Sequence, residues 1–306
     1  MNKMWKLVAV TLVAILAVGV VGFALLGGPS RSDSSVIHVV AAENFWGSLI
    51  SQMGGTHVSV TSIVSDPNAD PHEYEANTSD ARAVADAQLV IENGEGYDTW
   101  CQQLINASAT PNQVVLNVQN VLGVPSGGNP HFWYSPTYVN ITVRQMFTDL
   151  ASIAPTDTQY FQQQYASLNV SLGDLYARVA IIKAKFAGTE VAATEDIFVY
   201  LANATNLALV SPPAFMEAVA EGNDPPASSV VEFQNQLESG NVSVLVYNAQ
   251  TVSPITTQMK QIAVQYNVTV VAVTETIQPP DVTFQVWFNA ELLNLQNALN
   301  AKALGQ

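Results

Sequence analysis

Cysteine, histidine and positive charge are all scarce in this 306-residue chain, and each scarcity removes a class of function. Cys101 stands alone, so no disulfide closes within the chain and no zinc or iron–sulfur site can be built on clustered thiolates. Ten Lys and Arg against 25 Asp and Glu leave a formal charge of -15. The clustered cations that neutralise nucleic-acid phosphates are therefore missing. Charged residues total 11%, well below the ~25% of ordinary soluble domains, so Asn, Gln, Ser and Thr must keep the surface wet. Such a surface also suits an acidic habitat, because few of its groups change charge. Neither HExxH nor GxSxG occurs, which removes two common hydrolase signatures.

The longest uncharged run comes first. From Leu7 to Gly28 no residue carries charge, enough to cross ~30 Å of hydrocarbon as a helix. Lys3 and Lys6 precede it, and the positive-inside rule sends the following residues outward. Residues 1–28 read as an uncleaved membrane anchor in preference to a cleaved signal segment, since cleaved peptides have apolar stretches of ~7 to 15 residues. Residues 29–35 read as a flexible stalk. Seven Asn-X-Ser/Thr sequons, at Asn77, Asn106, Asn140, Asn169, Asn203, Asn241 and Asn267, suit an exported and glycosylated surface; chance in a chain rich in Asn, Ser and Thr is the alternative.

Beyond the stalk, strand-like and helix-like stretches alternate. "VIHVVAA" (36–42), "VSVTSIV" (58–64), "QLVIEN" (88–93) and "VVLNV" (114–118) are short, β-branched and separated by helical segments. This is the signature of βα units and a parallel sheet. The alternation stops, and apolar residues fall at helical spacing from Tyr160 to Phe186, with Asp157 before them and Lys183 and Lys185 at the end, as the helix dipole favours. It resumes with "EVAAT", "LALVS", "VSVLVYN" (242–248) and "VTVVAVTE" (268–275). The expected architecture is α/β: two similar lobes, 36–155 and 188–306, with mainly parallel sheets, joined by one linking helix over 156–187. At ~1.5 Å per residue that helix is a rod ~45 Å long, which limits hinge motion.

Ligands of open α/β sheets bind beyond the carboxyl ends of the strands. His72, His131, Glu195 and Glu275 stand at four such ends, two in each half. Two imidazoles and two carboxylates lining the interlobe cleft make a workable shell for a divalent cation. The carboxylates cancel the ion's charge, which offsets the cost of drying it, and the imidazoles add affinity without charge. Repulsion between the two acids across the cleft would make metal favour closure and its loss favour opening.

These positions lie in "DPHEYE" (70–75), "NPHFWYSP" (129–136), "ATEDIFVYL" (193–201) and "VTETIQPP" (273–280), spaced around a long central helix. The set resembles the solute-binding proteins that serve zinc and manganese ABC importers, and the resemblance runs from about Val36 to the C-terminus. It implies metal ligation by His72, His131, Glu195 and Glu275, an ABC permease in the same membrane as partner, and no enzymatic activity. "EGNDPPASSVVEFQNQLESGNVSVLVYN" (221–248) matches the family's helix and strand after the third ligand. Two departures stand out. The fourth ligand is more often Asp, which makes Asp281 the fallback for Glu275, and the acidic, histidine-rich loop of some zinc members is missing.

Each residue also has a plainer reading. His72 and His131 taken singly are loop histidines, Glu195 is a helix cap, and Glu275 is a turn acid before Pro279 and Pro280. His38 reads as a core histidine inside an apolar strand, and His57 as a solvated turn residue. Trp133 and Tyr134 either wall the site or pack at the domain interface. Asp66, Asp70, Glu73 and Glu75 either steer cations or solvate loops. Zinc is favoured over manganese by the affinity order, while Glu195 in place of a third histidine keeps manganese open; without a thiolate, Cu(I) is disfavoured. Imidazoles must be neutral to ligate, so acid should weaken capture. The expected protein is a monomeric cell-surface receptor tethered by its N-terminus. The alternatives are a secreted zinc hydrolase and an adhesin with a structural metal.

Overall fold

The computed structural model describes residues 36–67, 71–108 and 110–304, without the side chain of Glu73. The anchor, stalk, Asp70 and Glu73 readings fall outside the described residues. Among those described, no helix is long and apolar enough to cross a membrane. Val36–Gln306 is one compact unit.

The chain runs β1 (Ile37–Glu43), α1 (Asn44–Gly54), β2 (Val58–Val64), α2 (Thr78–Asp86), β3 (Leu89–Glu92), α3 (Thr99–Ser108), β4 (Val114–Asn117), α4 (Val118–Leu122), α5 (Pro136–Ile153) and α6 (Thr158–Phe186). It continues through β5 (Glu190–Ala193), α7 (Val199–Thr205), β6 (Ala208–Leu209), α8 (Pro213–Ala220), α9 (Ala227–Glu238), β7 (Val244–Asn248), α10 (Pro254–Gln265), β8 (Thr269–Val273) and α11 (Phe284–Ala303). Both sheets have four strands, all pairings parallel, in the orders β2-β1-β3-β4 and β6-β5-β7-β8. The lobes therefore share one topology. In each, the chain reverses its direction of travel across the sheet beside the first strand, and that switch point opens a crevice at the carboxyl ends.

The linking helix α6 is 29 residues long, about 44 Å at 1.5 Å per residue. Leu168, Leu172, Leu175, Val179, Ile182 and Phe186 are buried along it at alternating spacings of four and three, the stripe that faces a core. Asp157 precedes it without capping it through its side chain; Asp157 Oδ2 lies 3.1 Å from His57 Nδ1 instead. His57 is thus no solvated turn residue: its ring stacks on Tyr160 at 4.1 Å. His38 departs from expectation the other way. Strand alternation turns it to the face opposite Ile37 and Val39, and at the first residues of β1 that face is open, so His38 is exposed although Val40, two residues on, is buried.

One hydrophobic core passes through both lobes, from Phe45 and Trp46 through Phe132, Trp133 and Tyr134 to Phe284, Trp287 and Phe288. A polar clasp runs beside it along one face of α1, at positions four residues apart. Asn44 Oδ1 accepts from the Ile277 amide at 2.9 Å, Ser48 Oγ accepts from the Phe284 amide at 3.0 Å, and Gln52 pairs with Gln285, which reaches Ser171 on α6. Asn44→Ala leaves the buried Ile277 amide unpaired. The expected cost is about 2 kcal/mol, read by calorimetry on metal-free protein as a fall of roughly 5 °C in melting temperature.

Candidate metal centre

The DPH loop follows β2, and Pro71–Glu73 forms a single 3-10 turn that carries His72. His131 directly precedes the 3-10 turn Phe132–Tyr134. Its placement is heavily supported. Asn93, fully buried, accepts from Trp46 Nε1 at 3.1 Å and donates to the Pro130 carbonyl at 2.9 Å. Glu95 accepts from the Gly127 and Gly128 amides and so holds the glycine loop that leads into "NPH". For Glu95 to reach them, Gly94, Glu95 and Gly96 all take positive φ (80°, 54° and 79°), and a Cβ on Gly94 would lie 2.9 Å from Gln119 Cβ. Asp98 closes that loop by accepting from the Asn93 and Gly94 amides at 2.5 and 2.8 Å.

His72, His131 and Glu275 each offer a ligand atom such that all three atoms lie within 4.8 Å of one another. His72 Nε2 and Glu275 Oε2 are 3.5 Å apart. Two donors at 2.0–2.1 Å from a tetrahedral zinc would be about 3.3 Å apart, so this edge already has the size of a zinc shell. His131 is fully buried, and its Nδ1 lies 2.9 Å from Asn129 Oδ1 and 3.1 Å from Asp196 Oδ1. Asn129 Oδ1, which also accepts from the His131 backbone amide, holds the proton on Nδ1 and leaves Nε2 as the lone-pair nitrogen; Nε2 is buried with no hydrogen-bond partner among the described residues. Glu275 is likewise fully buried, taking hydrogen bonds from Tyr97 and Asn248 at 2.6 Å each.

Glu195 lies outside that three-residue group. It sits 1% exposed at the head of the 3-10 turn Asp196–Phe198, and its side chain makes no capping bond there, so the plain reading of a helix cap does not account for it. Asp281 is exposed, and Glu275 is the acid that meets the two imidazoles. Both Glu195 and Glu275 ride on the second sheet, so their mutual repulsion acts within one lobe. The repulsion across the cleft that was expected to open the metal-free protein is therefore absent. Lobe contact is held by the clasp and the shared core instead.

Trp133 and Tyr134 take both of the roles considered for them. Trp133 stacks on Phe45 at 3.9 Å with its ring 5.2 Å from that of His131, while Tyr134 packs on Phe288 and its single hydroxyl proton lies between Glu291 at 2.7 Å and the Thr274 carbonyl at 2.8 Å. Glu291 in turn accepts from the Thr274 amide at 2.9 Å. Burial pushes this carboxyl from 4.5 up to about 8. Glu43, at the end of β1, is raised well above the usual range by burial and then by Asp98, with which it shares a hydrogen bond; Asp98 itself is pushed by burial to about 7. Beside His72 a cavity of about 940 Å³ opens, with Glu95, Asp196, Glu217 and Glu221 in its lining and no Lys or Arg. Asp66 and Glu75 are exposed.

Sequence reasoning missed Tyr97, Asn248, Asn93 and Glu291. Tyr97 and Asn248 stand at strand ends like the expected ligands, and that was the available signal; neither belongs to a residue type that announces metal chemistry.

Known proteins resemble this chain in sequence and in fold. A family model described as the periplasmic component A of a zinc-uptake complex matches residues 39–298. The high-affinity zinc uptake system protein ZnuA of Bacillus subtilis is 20% identical over 269 residues, covering 81% of this chain and 82% of that protein. The manganese-binding lipoprotein MntA of Halalkalibacterium halodurans is 27% identical over 136 residues, 43% of this chain and 45% of that protein. Among solved structures, the periplasmic zinc-binding protein TroA of Treponema pallidum superposes with a TM-score of 0.72 at 16% identity, covering 85% of this chain and 98% of that one.

Proposed function

The chain belongs to the family of periplasmic zinc-uptake complex component A proteins, and from that premise we propose that it is an extracytoplasmic receptor that captures a divalent transition-metal ion and delivers it to an ABC importer. Zinc is the favoured cargo and manganese the alternative. His72, His131 and Glu275 are the proposed ligands, with Glu195 completing the set. One observation carries the reading: imidazole, imidazole and carboxylate donors from both lobes meet within 4.8 Å where the strands end, with His131 and Glu275 fully buried. An orphaned imidazole nitrogen in that place is a cost to the folded chain unless a cation repays it.

The reading is of a binding protein, not an enzyme, working as a monomer beside a permease in the membrane to which its N-terminal segment tethers it. The clasp and the continuous core support a fold that stands without its ion, as a carrier that must give up its cargo needs. Stripping the protein with a chelator and titrating zinc and manganese back by calorimetry tests this. The expected result is an unchanged circular-dichroism spectrum on stripping, and one ion rebound per chain. No heat from either ion would defeat the proposal, and melting on stripping would point to an adhesin with a structural metal.

A further inference from the structure

Before any ion arrives, Glu275 is already close to full. Its Oε1 accepts from Asn248 Nδ2 at 2.6 Å and from Thr251 Oγ1 at 3.3 Å, and its Oε2 accepts from the Tyr97 hydroxyl at 2.6 Å. An ionised carboxylate has about four lone-pair directions. Three are taken. The fourth lies on Oε2, the oxygen 3.5 Å from His72 Nε2. From this count we infer that Asn248, supported by Thr251, sets the preference for zinc over manganese by denying the ion the second oxygen of Glu275. The inference rests on the ligand reading above.

Asn248 is built for that task. The β7–β8 register sets it opposite Val273, two residues before Glu275, and it is 1% exposed, so water cannot take its place. Its Oδ1 accepts from the Gln250 amide at 2.9 Å, which fixes the orientation of the side-chain amide and turns Nδ2 toward Glu275 and Thr251. Thr251 Oγ1 lies 3.0 Å from the same Nδ2, so the two donors brace each other on one carboxylate oxygen.

The consequence is a low coordination number. A carboxylate that gives one oxygen counts as one donor, and with two imidazoles and Glu195 the shell closes near four, where zinc is content. Manganese prefers more oxygen and six donors, and a two-oxygen carboxylate is the simplest way to raise the count in a buried site. Freeing Oε1 should therefore help manganese more than zinc.

Asn248→Leu keeps the bulk and removes the donor; Thr251→Val removes the brace. Competition titrations of zinc and manganese against the parent and both variants read the ratio of affinities, with thermal melts of the metal-free proteins reporting folding. The expected result is a fall of about tenfold in the zinc-to-manganese ratio for Asn248→Leu, the scale of one hydrogen bond to a charged group, and a smaller fall for Thr251→Val. An unchanged ratio in folded Asn248→Leu overturns the inference and leaves the receptor reading standing. Should that variant fail to fold, Thr251→Val decides by the same criterion. X-ray absorption on the zinc-loaded parent gives a check without mutation: four donors support the inference, and a carboxylate bound through both oxygens overturns it. A parent that takes up neither ion overturns the receptor reading and the inference together.

Discussion

Zinc affinity should fall by about 10³-fold in Glu275→Gln, the largest loss expected of any single substitution at the site. Removing one partner of a buried charged pair costs about 4 kcal/mol, and every 1.4 kcal/mol is tenfold. Glu275 carries that weight because it is fully buried and is the one acid that lies with both imidazoles. Glutamine has the same size, and the Tyr97 hydroxyl can accept from the new amide as readily as it donates to the carboxylate, so the variant keeps its fold. His72→Ala should lose less, about 10- to 100-fold, because the His72 side chain is 22% exposed and water can stand in for it as a ligand. Competition with a chelator of known affinity measures both. Glu275→Gln binding zinc within tenfold of the parent would remove Glu275 from the shell.

The second large effect concerns pH and needs no metal. Glu291, Asp98 and Glu43 are buried carboxyls whose folded-state values stand above the ordinary range, reaching about 8 for Glu291 and about 7 for Asp98. For Glu291, between about pH 4.5 and 8 the carboxyl keeps its proton in the folded chain and has lost it in the unfolded one, and Glu43 and Asp98 act in the same direction. The folded state then binds more protons, so stability falls as pH rises through this window and levels off above the folded value. One tenfold difference in proton affinity corresponds to about 1.4 kcal/mol, so the fall for Glu291 by pH 8 is on the order of several kcal/mol. Melting temperatures of chelator-treated protein should be highest near pH 4 to 5 and decline toward pH 8 to 9. Glu291→Gln, whose oxygen can still accept from the Thr274 amide while its new amide N–H donates to the Tyr134 hydroxyl oxygen, should flatten the decline and be the more stable protein at pH 8. A melting temperature that rises from pH 5 to pH 8 would refute the assignment. The expected direction fits a surface poor in ionisable groups.

Much of the architecture was legible because it rests on local periodicity. Short β-branched runs separated by helical ones announced βα units, and the heptad-like spacing from Leu168 to Phe186 announced the linking helix to within two residues of its observed end. Rarity did the rest: with four histidines in the chain, two of them behind Pro at strand ends were conspicuous. Where prediction failed, the failure was in what each side chain meets. His38 obeys strand alternation, but nothing in the sequence tells which face is covered at the edge of the sheet. His57 looked like a turn residue because its partners, Asp157 and Tyr160, lie about a hundred positions away.

The sequence by itself determined the class of fold, the strand ends at which the proposed ligands stand and the chemical kind of those residues. Tertiary structure alone decided which of them share a point. It grouped His72, His131 and Glu275 and left Glu195 outside that group. It also chose Tyr97 and Asn248 to hold Glu275, at separations of 178 and 27 residues. The reason is one of range: helices and strands are set by neighbours a few positions apart, whereas hydrogen bonds and metal shells act over a few ångströms between residues that only the folded chain brings near.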